Sequence, residues 1–426
     1  MDSPKISLVM PSLNVQPYIE ECLKSVIGQT MQDWEAFIVD AGSTDGTLEI
    51  LHEYAAKDHR LHILSDDRGS TGYANNKAIK AARGEYIGIV ETDDYISPDM
   101  YEKLYAAAKT VNADICRMDY VRFWGNGEGR EFLHKHVASK GEYGRVIAPR
   151  KEQGVFRNDP FTWTGIYRRQ FLRDKEVWHH ETKGAAYQDT GFWFQSFSLA
   201  DSLLYIKGEG YHYRLDNPGS SVHDKGKAFA LADELTFVRE QMERRGIFQA
   251  FSSTFYEILF NRYLWSYQRA DTSLRLDFAK RFREDMLPAV NLNLALTAHQ
   301  RTLLDELQAS PEKFYASRES ERLALEGLLN GDKPLVMLGC GSDGMRMLDY
   351  LQQRDALKRL VCLADNDCSL QGQERGGKTI LSLKVASMRY PGAVWIVTSL
   401  NYSDVLTEQL KSMGVTENLI WTGHVC

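Results

Sequence analysis

Cysteine is scarce and unpatterned in this chain, with six in 426 residues, at positions 22, 116, 340, 362, 368 and 426. No C-x-x-C pair occurs and no spacing with histidine builds a zinc site, so free thiols in a reducing compartment are expected. Long apolar runs are also lacking. None reaches the roughly 18 residues of a spanning helix, and Met1–Ser7 has neither the basic nor the apolar stretch of a secretory leader. The expectation is a cytoplasmic chain without a membrane span. A surplus of positive charge is missing too. The formal net charge is −7 with both signs interspersed, which leaves no basic stripe to displace counterions from a phosphate backbone and speaks against a nucleic-acid partner.

What is present is a globular composition, 43% hydrophobic and 26% charged, without low-complexity segments. The length calls for about two or three domains. Residues 5–121 alternate β-rich runs with helical periodicity, the pattern of a parallel sheet covered by helices. The strands read as Ile6–Met10, Ala36–Asp40, Leu61–Leu64 and Glu85–Val90. Ile19, Leu23, Val26 and Ile27 recur at helical spacing behind Pro17, and Ser97-Pro98 reads as a cap and first turn for a second helix. From Gly125 to Gly154 the pattern dissolves into a long surface loop. Residues 225–330 are helix-periodic. Gly331-Asp332-Lys333-Pro334 breaks that pattern, and strands Pro334–Leu338, Leu360–Ala364 and Val394–Thr398 then alternate with helices Asp343–Gln353 and Ser403–Met413. The reading is an α/β chain in three parts, 1–224, 225–330 and 331–426. The middle part is a helical region or linker bundle, and the last is a small Rossmann-like accessory domain.

Two runs at strand ends carry chemistry. In Asp40-Ala41-Gly42-Ser43-Thr44-Asp45-Gly46 a carboxylate can accept hydrogen bonds from a base or ribose while glycines admit a close backbone approach, although a plain Gly-rich turn would look the same. In Glu91-Thr92-Asp93-Asp94, three carboxylates in four residues repel one another and invite a divalent cation such as magnesium or manganese. The bland alternative is an acidic turn ahead of a helix N-terminus.

With their surroundings these runs resemble glycosyltransferase family 2, of the GT-A fold, closely over residues 5–105 and loosely to 224. The resemblance is carried by Pro11, Asn14, Tyr18, Cys22-Leu23, Ser25, Gln29 and Thr30, and by Gly72, Ala74, Asn76, Ala78 and Gly84-Glu85-Tyr86-Ile87 before the acidic run. It implies an inverting transfer of the hexosyltransferase kind, from a nucleoside-diphosphate sugar to a glycan or lipid-linked acceptor in surface polysaccharide assembly. A UDP-sugar stands first among donors, although Ala41 replaces an aspartate that often touches the base. Pro11, Asn14, Asp40 and Asp45 would lie on the nucleoside side. Asp93, Asp94 and Glu91 would hold Mn2+ or Mg2+, with Glu91 standing where the family commonly has Asp. Asp189, in Tyr187-Gln188-Asp189-Thr190, resembles the later Glu-Asp motif with Gln188 replacing Glu, and would be the general base rather than a helix cap. Arg214 and Ser221 would close over the diphosphate, and His223 would be a third metal ligand rather than a solvated loop histidine. Trp163, Tyr167, Trp178 and Trp193 could stack on an acceptor sugar, but core packing is the expected role for most.

Leu338-Gly339-Cys340-Gly341-Ser342-Asp343-Gly344 is a G-x-G-x-x-G turn, and Asp365 ends the next strand. Gly339, Gly341, Gly344 and Asp365 thus form a second nucleotide-site candidate, against which stands a docking or homo-oligomerising module. Phe248, Phe251, Phe255, Tyr256, Phe260, Tyr263, Leu264 and Trp265 are expected to be buried, with peripheral membrane contact as the other use. Two competing functions remain. A sugar-phosphate nucleotidyltransferase would need a Gly-rich, Arg-containing loop where Met10-Pro11-Ser12-Leu13-Asn14 stands. A non-catalytic nucleotide-sugar-binding scaffold draws on the departures at Ala41, Glu91 and Gln188.

Overall fold

The computed structural model describes residues 3–125, 127–219, 224–399, 402–416 and 420–422. These fall into two compact units, 1–258 and 259–426.

The first unit opens with β1 (Ile6–Ser12), buried at every residue as a central parallel strand must be. Helix α1 (Gln16–Ile27) has Pro17 in its first turn and buries Ile19, Leu23 and Val26 of the periodic face read from the sequence, with Cys22 added and Ile27 only partly buried. There follow β2 (Trp34–Asp40), α2 (Thr47–Lys57), β3 (Leu61–Ser65), α3 (Thr71–Ala81), β4 (Tyr86–Ile89), β5 (Tyr95–Ile96), α4 (Met100–Val111) and β6 (Ile115–Trp124). Helix α4 starts behind Asp99 without a side-chain cap, two residues beyond the expected Ser97. The Ser97 hydroxyl instead donates to the carbonyl of Glu209.

The segment expected to be one long loop contains β7 (Glu131–Lys135), paired antiparallel to β6, and β8 (Val146–Ile147). Four of the five β7 residues are exposed, so backbone pairing holds the strand without the apolar alternation that would announce it. Then come β9 (Gly165–Arg168), α5 (Arg169–Asp174), α6 (Gln188–Leu199), β10 (Leu203–Arg214), α7 (Ala228–Arg244) and α8 (Phe248–Arg269), in which the chain passes from one unit to the next. The sheet order is β3-β2-β1-β4-β9-β6-β10-β5. Only β9 and β5 run against their neighbours on this path, so β1, β2, β4, β6 and β10 present their carboxyl ends along one edge. In open α/β sheets ligands sit outside such an edge.

The second unit continues with α9 (Arg275–Met286), α10 (Ala298–Ala309) and α11 (Pro311–Leu329). Then follow β11 (Leu335–Leu338), α12 (Ser342–Gln353), β12 (Leu360–Ala364), β13 (Glu374–Arg375), β14 (Lys378–Leu381), α13 (Leu383–Arg389), β15 (Val394–Val397), α14 (Ser403–Ser412) and β16 (Ile420–Thr422). Its sheet runs β13-β14-β12-β11-β15-β16, parallel except for β13. The parallel strands thus take the 3-2-1-4-5 order of a Rossmann-type sheet. Phe251, Phe255, Tyr256, Phe260 and Tyr263 are buried, which removes them as a membrane-facing surface. Among the described residues no helix is long and apolar enough to cross a membrane.

Candidate active site

The turn after β2 is built by its own carboxylates. Asp40 accepts from the Gly42 and Ser43 amides, each at 2.9 Å, and from the Ser43 hydroxyl. Asp45 ties two helices together, with Oδ2 accepting from the Gln16 amide at 3.0 Å and Oδ1 from the Thr47 amide and hydroxyl. Partial burial raises the Asp45 pKa, but the bonds from Thr47 and Gln16 outweigh it and hold the carboxyl below its ordinary value. Asn14, at φ 50°, accepts the Thr44 amide on Oδ1 and donates its own N–H to Ser43. Gly42 and Gly46 take φ of 86° and 97°, conformations costly for any other residue. Asp40, Asp45 and Asn14 therefore shape the loop through side chains already bonded within it. The Pro11 carbonyl accepts from the Thr92 hydroxyl, joining this turn to the acidic run.

The acidic run lies directly after β4, and its three carboxylates have different surroundings. Asp94 is 1% exposed. Its Oδ2 accepts from the Tyr211 hydroxyl at 2.8 Å and its Oδ1 from the Arg214 amide at 2.7 Å, so both oxygens brace the loop against β10. Burial, reinforced by Asp93, pushes its pKa up. Asp93 gives one oxygen to the Asn217 amide at 2.8 Å, leaving the other for a ligand. Burial pushes Glu91 up to about 8, with Asp93 and Asp189 adding to it.

Arg214 is buried in this framework. Its Nε donates to the Asp93 carbonyl and its guanidinium to Glu21 at 2.6 Å, between the rings of Tyr18 and Phe123. Glu21 also takes Arg130. The guanidinium expected to clamp a diphosphate thus has a carboxylate partner in this structure.

Helix α6 begins at Gln188, behind Tyr187 at φ 64°. Asp189 accordingly sits inside the first helical turn and is not the cap. Gln188 has a reason of its own. Its Nε2 donates to the Thr182 hydroxyl and the Gly184 carbonyl while its Oε1 accepts from the Ala186 amide, and a glutamate at this position could not donate. Asp189 is half-buried. Its charge is felt by Glu91 after β4, Tyr167 on β9, Tyr213 on β10 and Glu234 on α7. Ser221 and His223 lie outside the described residues.

Trp163, Tyr167 and Trp193 are buried and serve the core. Trp163 stacks on Phe161, Tyr211 and Tyr213. Trp178 is partly exposed beneath Lys80.

Among the described residues no three acidic, histidine or cysteine side chains converge as a ready-made cage. Magnesium-type sites, however, take one or two carboxylates and complete the shell with substrate phosphates and water. Glu91 and Asp93 fit that role, because burial and the neighbouring carboxylates hold Glu91 up at about 8, where a cation would favour its ionised form, and Asn217 takes only one Asp93 oxygen.

Sequence reading missed Tyr211, Asn217 and Glu21, whose roles come from partners on other strands and helices. It also missed Ser12, whose buried hydroxyl at the end of β1 has no hydrogen-bond partner among the described residues. In the second unit Asp365 is committed, with Oδ2 to the Cys340 amide at 2.8 Å and Oδ1 to the Asp367 amide. It braces the turn carrying Gly339, Gly341 and Gly344. Gly339 has φ 105°, and a Cβ on Gly344 would strike the Gly339 carbonyl.

Residues 7–187 match the family model described as glycosyl transferase family 2. The chain is 31% identical over 223 residues to the uncharacterized glycosyltransferase EpsJ of Bacillus subtilis (strain 168), covering 51% of this chain and 62% of EpsJ. It is 29% identical over 222 residues to glycosyltransferase GlyG of Streptococcus pneumoniae, covering 50% of this chain and 71% of GlyG. The chain thus spans about three fifths of the length of EpsJ. Among solved structures, S. aureus TarS 1–349 in complex with UDP-GlcNAc superposes with a TM-score of 0.59 at 20% identity, covering 75% of this chain and 92% of TarS 1–349. That likeness speaks for the fold.

Proposed function

Because residues 7–187 belong to glycosyl transferase family 2, we propose that the chain is an inverting glycosyltransferase that moves a sugar from a nucleoside-diphosphate donor to a glycan or lipid-linked acceptor in polysaccharide assembly. The observation that carries the reading is the pairing of a crowded acidic strand end, Glu91 and Asp93, with Asp189 in the first turn of α6, close enough to sense each other's charge. A UDP-sugar is the first donor to test, since the TarS structure holds UDP-GlcNAc.

In this reading Asp93, with Glu91, holds the divalent ion, and Asp94 keeps the loop in place through Tyr211 and Arg214. Manganese or magnesium, when bound, supplies positive charge opposite the diphosphate. Asp189 accepts the proton of the acceptor hydroxyl at a carboxylate oxygen. The acceptor oxygen then forms its bond to the anomeric carbon as the bond to the diphosphate breaks, with the electron pair leaving on the diphosphate oxygen. The Asp40 to Gly46 turn, held open by Asn14 and Asp45, receives the nucleoside. We place this chemistry on the cytoplasmic side of the membrane, where nucleotide sugars are made, and assign it to residues 1–224 together with α7.

Calorimetric titration of UDP with manganese, and again with excess chelator, tests the reading. Binding should be far tighter with the ion, because added phosphate charge beside Glu91 and Asp93 is otherwise repelled. Equal affinity in chelator would remove the metal from the mechanism. Release of nucleoside diphosphate from a panel of UDP-, GDP- and dTDP-sugars then identifies the donor, and no release from any of them would favour the scaffold reading.

A further inference from the structure

Glu234 lies on α7, outside the span matched to the family and in a region whose sequence reads only as helix. Its side chain is 1% exposed. Oε2 bonds the ring Nδ1 of His180 at 3.0 Å. The backbone N–H of Gly191 acts on the carboxyl and lowers its pKa, and Oε1 is buried. This oxygen faces the first turn of α6, where only the missing side chain of Gly191 makes room, and a Cβ there would overlap the carboxylate. The imidazole of His180 lies flat on Phe237 of α7, with ring centroids 4.1 Å apart and planes at 3°. The backbone around His180 is fixed from the opposite side. Its carbonyl packs where Gly72 of α3 has no Cβ. Asn76 of α3 spans the neighbouring His179, donating to its carbonyl and accepting its amide, both at 2.9 Å.

Burying a carboxylate costs free energy, and burial indeed raises the Glu234 pKa, with Asp189 adding to the rise while His180 and the Gly191 backbone oppose it. A carboxylate placed against the amino end of a helix recovers part of that cost from the helix dipole. The position is telling because Gly191 is only two residues beyond Asp189. An anion on this turn sets both where the turn sits and how the carboxylate of Asp189 is aimed.

We infer that Glu234, seated by His180, is a positioning residue that fixes the first turn of α6 and thereby directs Asp189 toward the acceptor hydroxyl. This rests on the reading of Asp189 as the base. The α7 helix is then part of the transfer machinery, and the catalytic unit extends past the last residue matched to the family.

The test compares the full-length chain with Glu234→Ala, Glu234→Gln, His180→Phe and Asp189→Asn. UDP with manganese serves as the binding probe, and nucleoside diphosphate release from the UDP-sugar panel as the turnover assay. Glu234→Ala should lower kcat by about 10²-fold while leaving the Kd for UDP within about twofold. It should also accelerate amide exchange in peptides covering Thr190–Phe192 more than elsewhere. Glu234→Gln keeps the shape and an acceptor for His180, and should recover kcat to within about tenfold of the parent. His180→Phe keeps the stacking on Phe237 and removes the ring nitrogen, so it should lower kcat in the same direction, and it carries the test if Glu234→Ala does not fold.

Unchanged kcat in folded Glu234→Ala and His180→Phe overturns the inference. So does a parallel loss of UDP affinity and turnover with general destabilisation, which would mark Glu234 as a core residue only. An active Asp189→Asn variant would instead strike at the base assignment, whatever the Glu234 variants do.

Discussion

At the scale of single residues, the acidic run divides into one carboxylate that holds the loop, Asp94, and two, Glu91 and Asp93, that are only partly buried. Both Asp94 oxygens are acceptors for fixed donors, the Tyr211 hydroxyl and the Arg214 amide. Asp94→Asn therefore turns an NH2 group toward one of these donors, and the buried mismatch should cost roughly 1–3 kcal/mol, read as a lower melting temperature without ligand. Asp93→Asn should leave that temperature nearly unchanged and abolish its rise with manganese plus UDP. The reverse pattern would exchange their roles. Asp189→Asn should lower transfer by about 10²–10⁴-fold with UDP binding retained, since the amide is isosteric and cannot take the proton. A joint loss of binding and rate would make Asp189 a structural residue. The sequence showed the acidic run because three carboxylates in four residues are visible without a fold. It could not show that Asp94 is spoken for, because Tyr211 and Arg214 lie more than a hundred residues away and reach it only once β10 is in the sheet.

At the scale of elements, strands were legible where they are buried and obscure where they are not. The parallel strands β1, β2 and β4 read as apolar runs because both faces of the sheet are covered at these strands, as helical crossovers require. Strand β7 carries no such signal because it is an exposed edge held by backbone bonds. The approach to α6 was equally hidden, since its order depends on α3. There His179 is fully buried, with its ring stacked on Phe192 at 4.2 Å and its Nδ1 without a partner among the described residues. Burial pushes its pKa down to about 3, from an ordinary 6.5. The folded protein therefore binds this proton only near pH 3, while the unfolded chain binds it near 6.5. Stability from the neutral ring is full above pH 6.5 and is lost as pH falls from 6.5 toward 3. Urea unfolding at pH 7.5 and 5 should show a drop for the parent that is smaller by the order of 1 to 2 kcal/mol in His179→Gln. Equal drops in both proteins would mean that His179 is protonated in the folded state.

At the scale of the whole molecule, the question is where the chain can be cut without losing the chemistry. The sequence break at Gly331 to Pro334 is real as a change of periodicity, yet the core crosses it. Leu325 and Leu329 of α11 pack with Leu335, Met337, Leu351, Leu363 and Trp421 of the following sheet. The Trp421 indole also donates to the Glu321 carbonyl, and Arg359 donates to the Leu328 and Leu329 carbonyls. All the described residues assigned to the candidate active site belong to the unit ending at Ile258. We expect a chain ending at Asn330 to keep manganese-dependent release of nucleoside diphosphate but to bind an apolar dye through the stripped face of α11. A chain ending at Arg269, after α8, should keep the same turnover and also bind the dye, because Phe260, Tyr263 and Tyr267 lose Phe278, Phe282 and Phe314. A chain ending at Asp224 removes α7 with Glu234, and should retain less than about one hundredth of the turnover even where circular dichroism shows a folded sheet. The complementary piece 311–426 should unfold cooperatively, whereas 331–426 should not, since it lacks the α11 side of its core. If the chain ending at Asn330 is folded yet inactive, the parallel sheet of the second unit takes part in the transfer, and the partition by cores fails.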